Sequence, residues 1–266
     1  EEDEEIIPFA PNQEPDVVIE TVDNPTGVEN ATTSVGESGL PARGDEPEGT
    51  ADETDAEITT GTIVVDAPDG LAALIINGVE ITSVGQTVTT DLGTLEITGI
   101  NPGTGEFDFS YTLADNTTNP SIVDNFDVTV VDIDGDEADA TLTVIIQDDA
   151  PIAINDANTV PPGSHAPISG NVVDNDESGA DGFPPEGAVT GFSNASGSAE
   201  PGATLQGEYG TLTLNADGTY TYTRDFNTPG GVEDVFGYAI VDQDGSTASA
   251  VLTITIEDAP DTINIP

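Results

Sequence analysis

The stretch VDIDGDEADATLTVIIQDDAP at 131–151 returns as VDQDGSTASAVLTITIEDAP at 241–260. Each copy runs from an Asp-Gly turn through an alternating apolar and polar run to an acidic exit ending in Ala-Pro. Period-two alternation marks a half-buried β-strand. A chain that closes two stretches with one element is a tandem repeat. The expected fold is therefore all-β, built twice from a strand-rich unit, and 266 residues suit two domains.

Strand signals come at short spacing from residue 58 onward. TTGTIVVD (59–66) is followed by the turn APDG, and LAALII (71–76) by Asn77-Gly78, a strong hairpin signal, then VEIT. GTLEITGI (93–100) and GEFDFSYTL (105–113) put Leu95, Ile97, Phe107, Phe109 and Tyr111 on one-face spacing. GTLTLNADGTYTYT (210–223) repeats that hairpin, facing Leu212 and Leu214 toward Tyr220 and Tyr222. PIAINDANTV (151–160) and PISGNVVDNDESGAD (167–181) read as strand, loop, strand. No segment has a helical period. Short strands with Gly, Pro, Asn and Asp turns predict tandem antiparallel β-sandwiches.

The expected boundaries are an acidic tail or linker at 1–15, a first module at 16–149, a second at 150–260, and a linker to a next module at 261–266. DVVIETVD (16–23) is a candidate first strand, and IIPF (6–9) a candidate docking segment. Residues 24–57, rich in Asn, Thr, Gly, Pro and acids, read as a long surface loop or partial disorder, more mobile than the sandwiches.

Charge excludes several functions. Two Arg, no Lys and 52 acids give a net charge of −50. Such a chain repels nucleic-acid phosphates and anionic membrane surfaces, and calls for bound cations or high salt. The chain has no Cys, which rules out disulfides and thiol chemistry. Absence of Lys rules out a Schiff base and an isopeptide staple. The longest apolar run, LAALII, is far short of a membrane span. The start EEDEE is unlike a signal peptide, so the sequence is expected to be a fragment or to be exported by a signal elsewhere.

Several stretches resemble a known family. SGLPARGDEPEGT (38–50), GTLEITGINPGTGEFDFSYTLADNT (93–117) and the 131–151 element resemble the acidic repeats of giant bacterial type I-secreted, RTX-type adhesins. GNVVDNDESGAD (170–181), GTLTLNADGTYTYT and DVFGYAIVDQDG (234–245) resemble the VCBS and cadherin-like repeats of the same proteins. The resemblance implies Ig-like or cadherin-like β-sandwiches in an elongated arrangement, calcium in and between them, and a stalk role in adhesion and biofilm at the bacterial surface. Neighbouring repeat modules, in the same or an adjacent chain, are the implied partners. The glycine-rich calcium nonapeptide of RTX tails is absent, and so is any obvious ligand-binding insertion.

The carboxylates are the candidate chemistry. Calcium takes six to eight hard oxygens, many from Asp side chains. Asp132, Asp134 and Asp136 alternate around Gly135, and Asp139 follows. The turn is not an EF-hand, because the twelfth position from Asp132 is Thr143. Asp148, Asp149 and Asp156 gather at the boundary between modules. In the second copy Asp242 and Asp244 remain, while Ser246 stands where Asp136 stood. Asp174 and Asp176 form another oxygen-rich loop, and Asp258, with Asp261, would serve the next junction. All of these also suit hairpin turns on a solvated surface.

His165, alone and without Cys, does not suggest zinc or a catalytic triad. No carboxylate pair stands out for glycoside hydrolysis. Arg43-Gly44-Asp45 and the sequons at Asn30, Asn116 and Asn194 are read as incidental. The resulting expectation is a non-enzymatic, extracellular, calcium-stiffened stalk. Its rivals are a sugar- or peptide-binding adhesin module, a secreted acidic hydrolase, and a subunit of a surface filament or layer.

Overall fold

The structure, a computed structural model, describes residues 12–119 and 122–258. The candidate docking segment 6–9, the linker 261–266 and Asp261 lie outside the described residues. The chain packs as two compact units. The first takes 12–37, 55–115 and 122–147; the second takes 38–54, 116–119 and 148–258. Each is a β-sandwich, as the strand spacing predicts. Among the described residues no helix is long and apolar enough to cross a membrane.

The first unit holds ten strands. They are β1 (Asp16–Thr21), β2 (Asn30–Gly36), β3 (Ile58–Asp66), β4 (Leu71–Ile76) and β5 (Val79–Glu80), then β6 (Thr87–Thr89), β7 (Gly93–Asn101), β8 (Glu106–Leu113), β9 (Val123–Asp132) and β10 (Glu137–Gln147). One sheet has the order β1-β3-β8-β7-β6 and the other β2-β10-β9-β4-β5. Asn77 and Gly78 both adopt positive φ (47° and 77°) in the β4–β5 hairpin, as its two-residue loop requires.

The second unit holds nine strands. They are β11 (Asp156–Val160), β12 (Ile168–Asn171), β13 (Val189–Asn194), β14 (Gly197–Ala199) and β15 (Thr204–Gln206), then β16 (Gly210–Leu214), β17 (Thr219–Arg224), β18 (Val232–Val241) and β19 (Thr247–Ile256). Its sheets run β11-β19-β18-β13-β14 and β12-β17-β16-β15. The ladders are antiparallel, apart from the parallel pairs β2–β10 and β11–β19.

The inward residues of the repeated hairpin form both cores. Leu95, Ile97, Phe107, Phe109 and Tyr111 are buried in the first, and Leu212, Leu214, Tyr220 and Tyr222 in the second. Residues 24–57 are not a plain loop. Asn30–Gly36 forms β2, which buries Ala31, Thr33 and Val35. Its apolar period is hidden in the sequence because Thr33 is an inward residue. The Thr33 hydroxyl is buried at 2.7 Å from that of Thr59, so each satisfies the other.

A buried Tyr–Asp pair ties the two sheets of each sandwich. Tyr111 donates its hydroxyl to Asp124 at 3.0 Å, and Tyr222 donates to Asp234 at 2.6 Å. Both carboxylates are buried. Asp234 also accepts the amides of Glu208 and Tyr209, and Asp124 the Thr90 hydroxyl. Burial pushes both phenols far above their ordinary pKa, helped by the adjoining carboxylates. The repeated Gly-Thr-Leu explains itself here. A Cβ on Gly93 would stand 2.2 Å from the Tyr111 hydroxyl, and one on Gly210 2.4 Å from the Tyr222 ring.

Replacing Tyr222 by Phe leaves buried Asp234 short of a donor and should destabilise the second unit by about 1–3 kcal/mol. Chemical denaturation with hydrogen exchange resolved by unit measures this. An unchanged second unit would show that the pair contributes nothing to stability.

Candidate metal centre

In the first unit the β9–β10 turn, Asp132-Ile133-Asp134-Gly135-Asp136, bends through Gly135 at φ 97°. The amides of Gly135 and Asp136 donate to Asp132 Oδ1 at 2.9 and 2.8 Å. Asp132 is 1% exposed, and its Oδ2 is buried with no hydrogen-bond partner. The β3–β4 turn supplies a third carboxylate, Asp69. One oxygen from each of Asp69, Asp132 and Asp134 lies within 4.8 Å of the others.

The second unit repeats this. Gly245 bends the turn Asp242-Gln243-Asp244-Gly245-Ser246 at φ 106°. Its amide and that of Ser246 donate to Asp242 Oδ1 at 2.9 and 2.8 Å. The third carboxylate is Asp181, again within 4.8 Å. Buried oxygens without a partner now come from Asp181, Asp242 and Asp244, and from Asp148, whose other oxygen accepts the Ser246 hydroxyl.

The same backbone bond places the third carboxylate in both units. The Ile133 amide donates to the Gly70 carbonyl at 2.9 Å, and the Gln243 amide to the Gly182 carbonyl at 3.1 Å. Each glycine follows the carboxylate it positions and has positive φ. Sequence reasoning missed Asp69 and Asp181. The available signal was an Asp-Gly pair well upstream of each Asp-x-Asp-Gly turn.

The remaining candidates lie elsewhere. Asp136 accepts the Asn12 amide at 2.6 Å, and Asp139 the Thr129 hydroxyl at 2.8 Å. Asp149 is buried and accepts the Thr50 amide and hydroxyl and the Ala180 amide. This ties segment 38–54 into the second unit, as the bond from Asn116 to Asp181 ties 116–119. Tyr238 donates to Asp156 at 2.8 Å, and the Ile154 amide to Asp176 at 2.7 Å. Asp174 and Asp258 are exposed.

Asp134 in the first triad, and Asp181 and Asp242 in the second, are harder to ionise than an ordinary aspartate. Burial pushes Asp242 up to about 7, with Asp244 adding to the rise through a hydrogen bond and its charge. Asp181 rises through burial and then the charges of Asp244, Asp148 and Asp149, against the Asn116 bond. Asp134 rises chiefly through its interaction with the adjacent Asp132 carboxylate, then through burial and nearby charges. Burial also works against ionising Asp132, but its hydrogen bonds outweigh this and hold it low. Outside the triads, burial raises Asp156 to about 6 against the Tyr238 bond.

All-oxygen donors of full negative charge, some buried and unpartnered, fit a hard divalent cation, calcium above all. Asp69, Asp132 and Asp134 would hold one ion, and Asp181, Asp242 and Asp244 another. The ion would supply positive charge where three carboxylates meet.

A folded-state pKa raised above its unfolded value contributes stability at low pH that is lost as pH rises through the folded value. In chelator, lowering the pH from about 8 to about 6 through the Asp242 value near 7 should therefore stabilise the second unit. Asp242→Asn should flatten that response. Equal slopes in the two proteins, read as melting temperature against pH, would refute this.

The family model described as a bacterial cadherin-like domain matches residues 148–258. No curated protein matches the chain significantly. Among solved structures, the chain is similar to protocadherin gamma B7 extracellular cadherin domains 1–4 (15% identity, TM-score 0.30), covering 88% of this chain and 50% of that one. It thus spans about half the length of that fragment. It is also similar to the D00-D0 domain of intimin (14%, TM-score 0.29), covering 76% and 94%. A third is the sialic acid binding region of a Streptococcus sanguinis adhesin (8%, TM-score 0.30), covering 92% and 78%. Residues 148–258, most of the second unit, thus match the bacterial cadherin-like domain.

Proposed function

We propose that the chain is a non-enzymatic, calcium-binding extender module of a bacterial surface adhesin, of the RTX type that its repeats resemble. One observation carries this reading. An acidic triad with a buried, unpartnered carboxylate oxygen is built twice, by the same turn and the same backbone bond. Building it costs stability in the absence of a counter-charge, so its repetition is what a cation-dependent module requires. The cadherin-like match over 148–258 supports the adhesion role.

Calcium here joins turns that otherwise repel, so each unit is stiffer and more stable in the ion. In this reading the module is extracellular, works beside neighbouring repeat modules, and touches neither nucleic acid nor the membrane interior. Stiffening projects an adhesive tip and serves biofilm formation.

Calorimetry should detect calcium binding that is lost on Asp134→Ala in the first unit and Asp244→Ala in the second. At a hundredfold excess over Kd the ion adds about 2.7 kcal/mol. Asp134→Ala should therefore destabilise the first unit in calcium and be neutral or slightly stabilising in EDTA. Equal losses in both would reduce Asp134 to an ordinary turn residue. The stalk role predicts a larger maximum dimension by small-angle scattering in calcium than in EDTA; equal dimensions would count against it.

A further inference from the structure

Beside the first triad lies a cavity that calcium alone leaves unexplained. It measures about 500 Å3 and is lined by Val65, Leu71, Pro102 and Phe107, with Asp66 and Thr104 as polar groups. Gly70, also on its wall, directly follows the triad carboxylate Asp69. Leu71 pairs with Asp132 across β4 and β9. The Ile133 side chain lies against Gly70, with its Cδ1 2.6 Å from where a Cβ on that glycine would stand. Yet Ile133 is 71% exposed. The corresponding residue of the second unit is Gln243, so the exposed apolar side chain at this position belongs to the first unit.

We infer that this end of the first unit is a calcium-dependent binding site for a neutral saccharide. The inference rests on calcium occupying the first triad, as proposed above. Two of the triad's oxygens are already used: Asp132 Oδ1 by the Gly135 and Asp136 amides, and Asp69 Oδ2 by the Gln13 amide at 2.7 Å. The triad therefore falls short of the six to eight oxygens calcium takes. The partly exposed Asp69 and exposed Asp134 leave the ion open to solvent on their side.

Charge selects the missing ligand. Three carboxylates around a divalent ion leave net negative charge, with Asp136 nearby adding to it, so an anionic ligand is repelled. Vicinal hydroxyls carry no charge and give the ion two oxygens from one edge. The C–H face of the same sugar ring matches Ile133, Leu71 and the cavity wall. A cavity of this size with a few polar groups suits such a ligand.

The test is an array of neutral and anionic glycans probed with the whole chain in calcium and in EDTA, beside calorimetry of calcium binding. Expected is binding of neutral glycans in calcium, abolished by EDTA and by Asp134→Asn. Ile133→Ser and Leu71→Ser should weaken it by about tenfold or more while calcium binding stays unchanged. Ile133 is exposed, so that variant should fold as the parent does. Calcium binding at the first triad with no neutral-glycan binding would overturn this inference and leave the calcium reading standing. So would binding confined to anionic glycans, or indifferent to both apolar substitutions. Absence of calcium from the first triad would overturn this inference together with the calcium reading of the first unit.

Discussion

Fifty-two acids and two arginines leave few ways to keep a carboxylate inside this fold. Ion pairing is nearly unavailable with two cations in the chain, one of which, Arg43, meets Glu46 at 3.5 Å. Neutral donors and protons must stabilise buried acids, or a cation must. Asp124, Asp149 and Asp234 take the first course, through tyrosine and threonine hydroxyls and loop amides. Asp132, Asp181 and Asp242 keep buried oxygens without any donor. That division separates carboxylates with a structural role from those arranged around a candidate ion.

Both arrangements occur twice, and the repeat follows from the sandwich. The hairpin β7–β8, like β16–β17, delivers a tyrosine under a glycine toward the opposite sheet, where an aspartate begins its strand run. The hairpin β9–β10, like β18–β19, presents the Asp-x-Asp-Gly turn at its tip. Because the turn amides hold Asp132 and Asp242 by one oxygen, the other is fixed without a partner. The units differ around this shared frame. The second surrounds its triad with Asp148, Asn116 and Ser246, whereas the first leaves Ile133 exposed beside an open cavity. One frame can thus serve a buried cation in one unit and a solvent-facing one in the other.

The sequence by itself determined the strands, the repeat and the carboxylate turns. Period-two alternation fixes which residues face inward, and Asn-Gly or Asp-Gly dictates where the chain reverses; both are local effects. It failed at β2, where buried Thr33 bonds Thr59 across 26 positions and so hides the apolar period. Tertiary structure alone decided the composition of each triad. Asp69 meets Asp132 because β4 lies beside β9, and Asp181 meets Asp242 because the loop before β13 reaches the same turn. It also decided that Asp149 and Asp156, as acidic in sequence as any ligand, accept hydrogen bonds from Thr50 and Tyr238. A carboxylate's role depends on whether a donor reaches it, and here those donors come from segments far away in the chain.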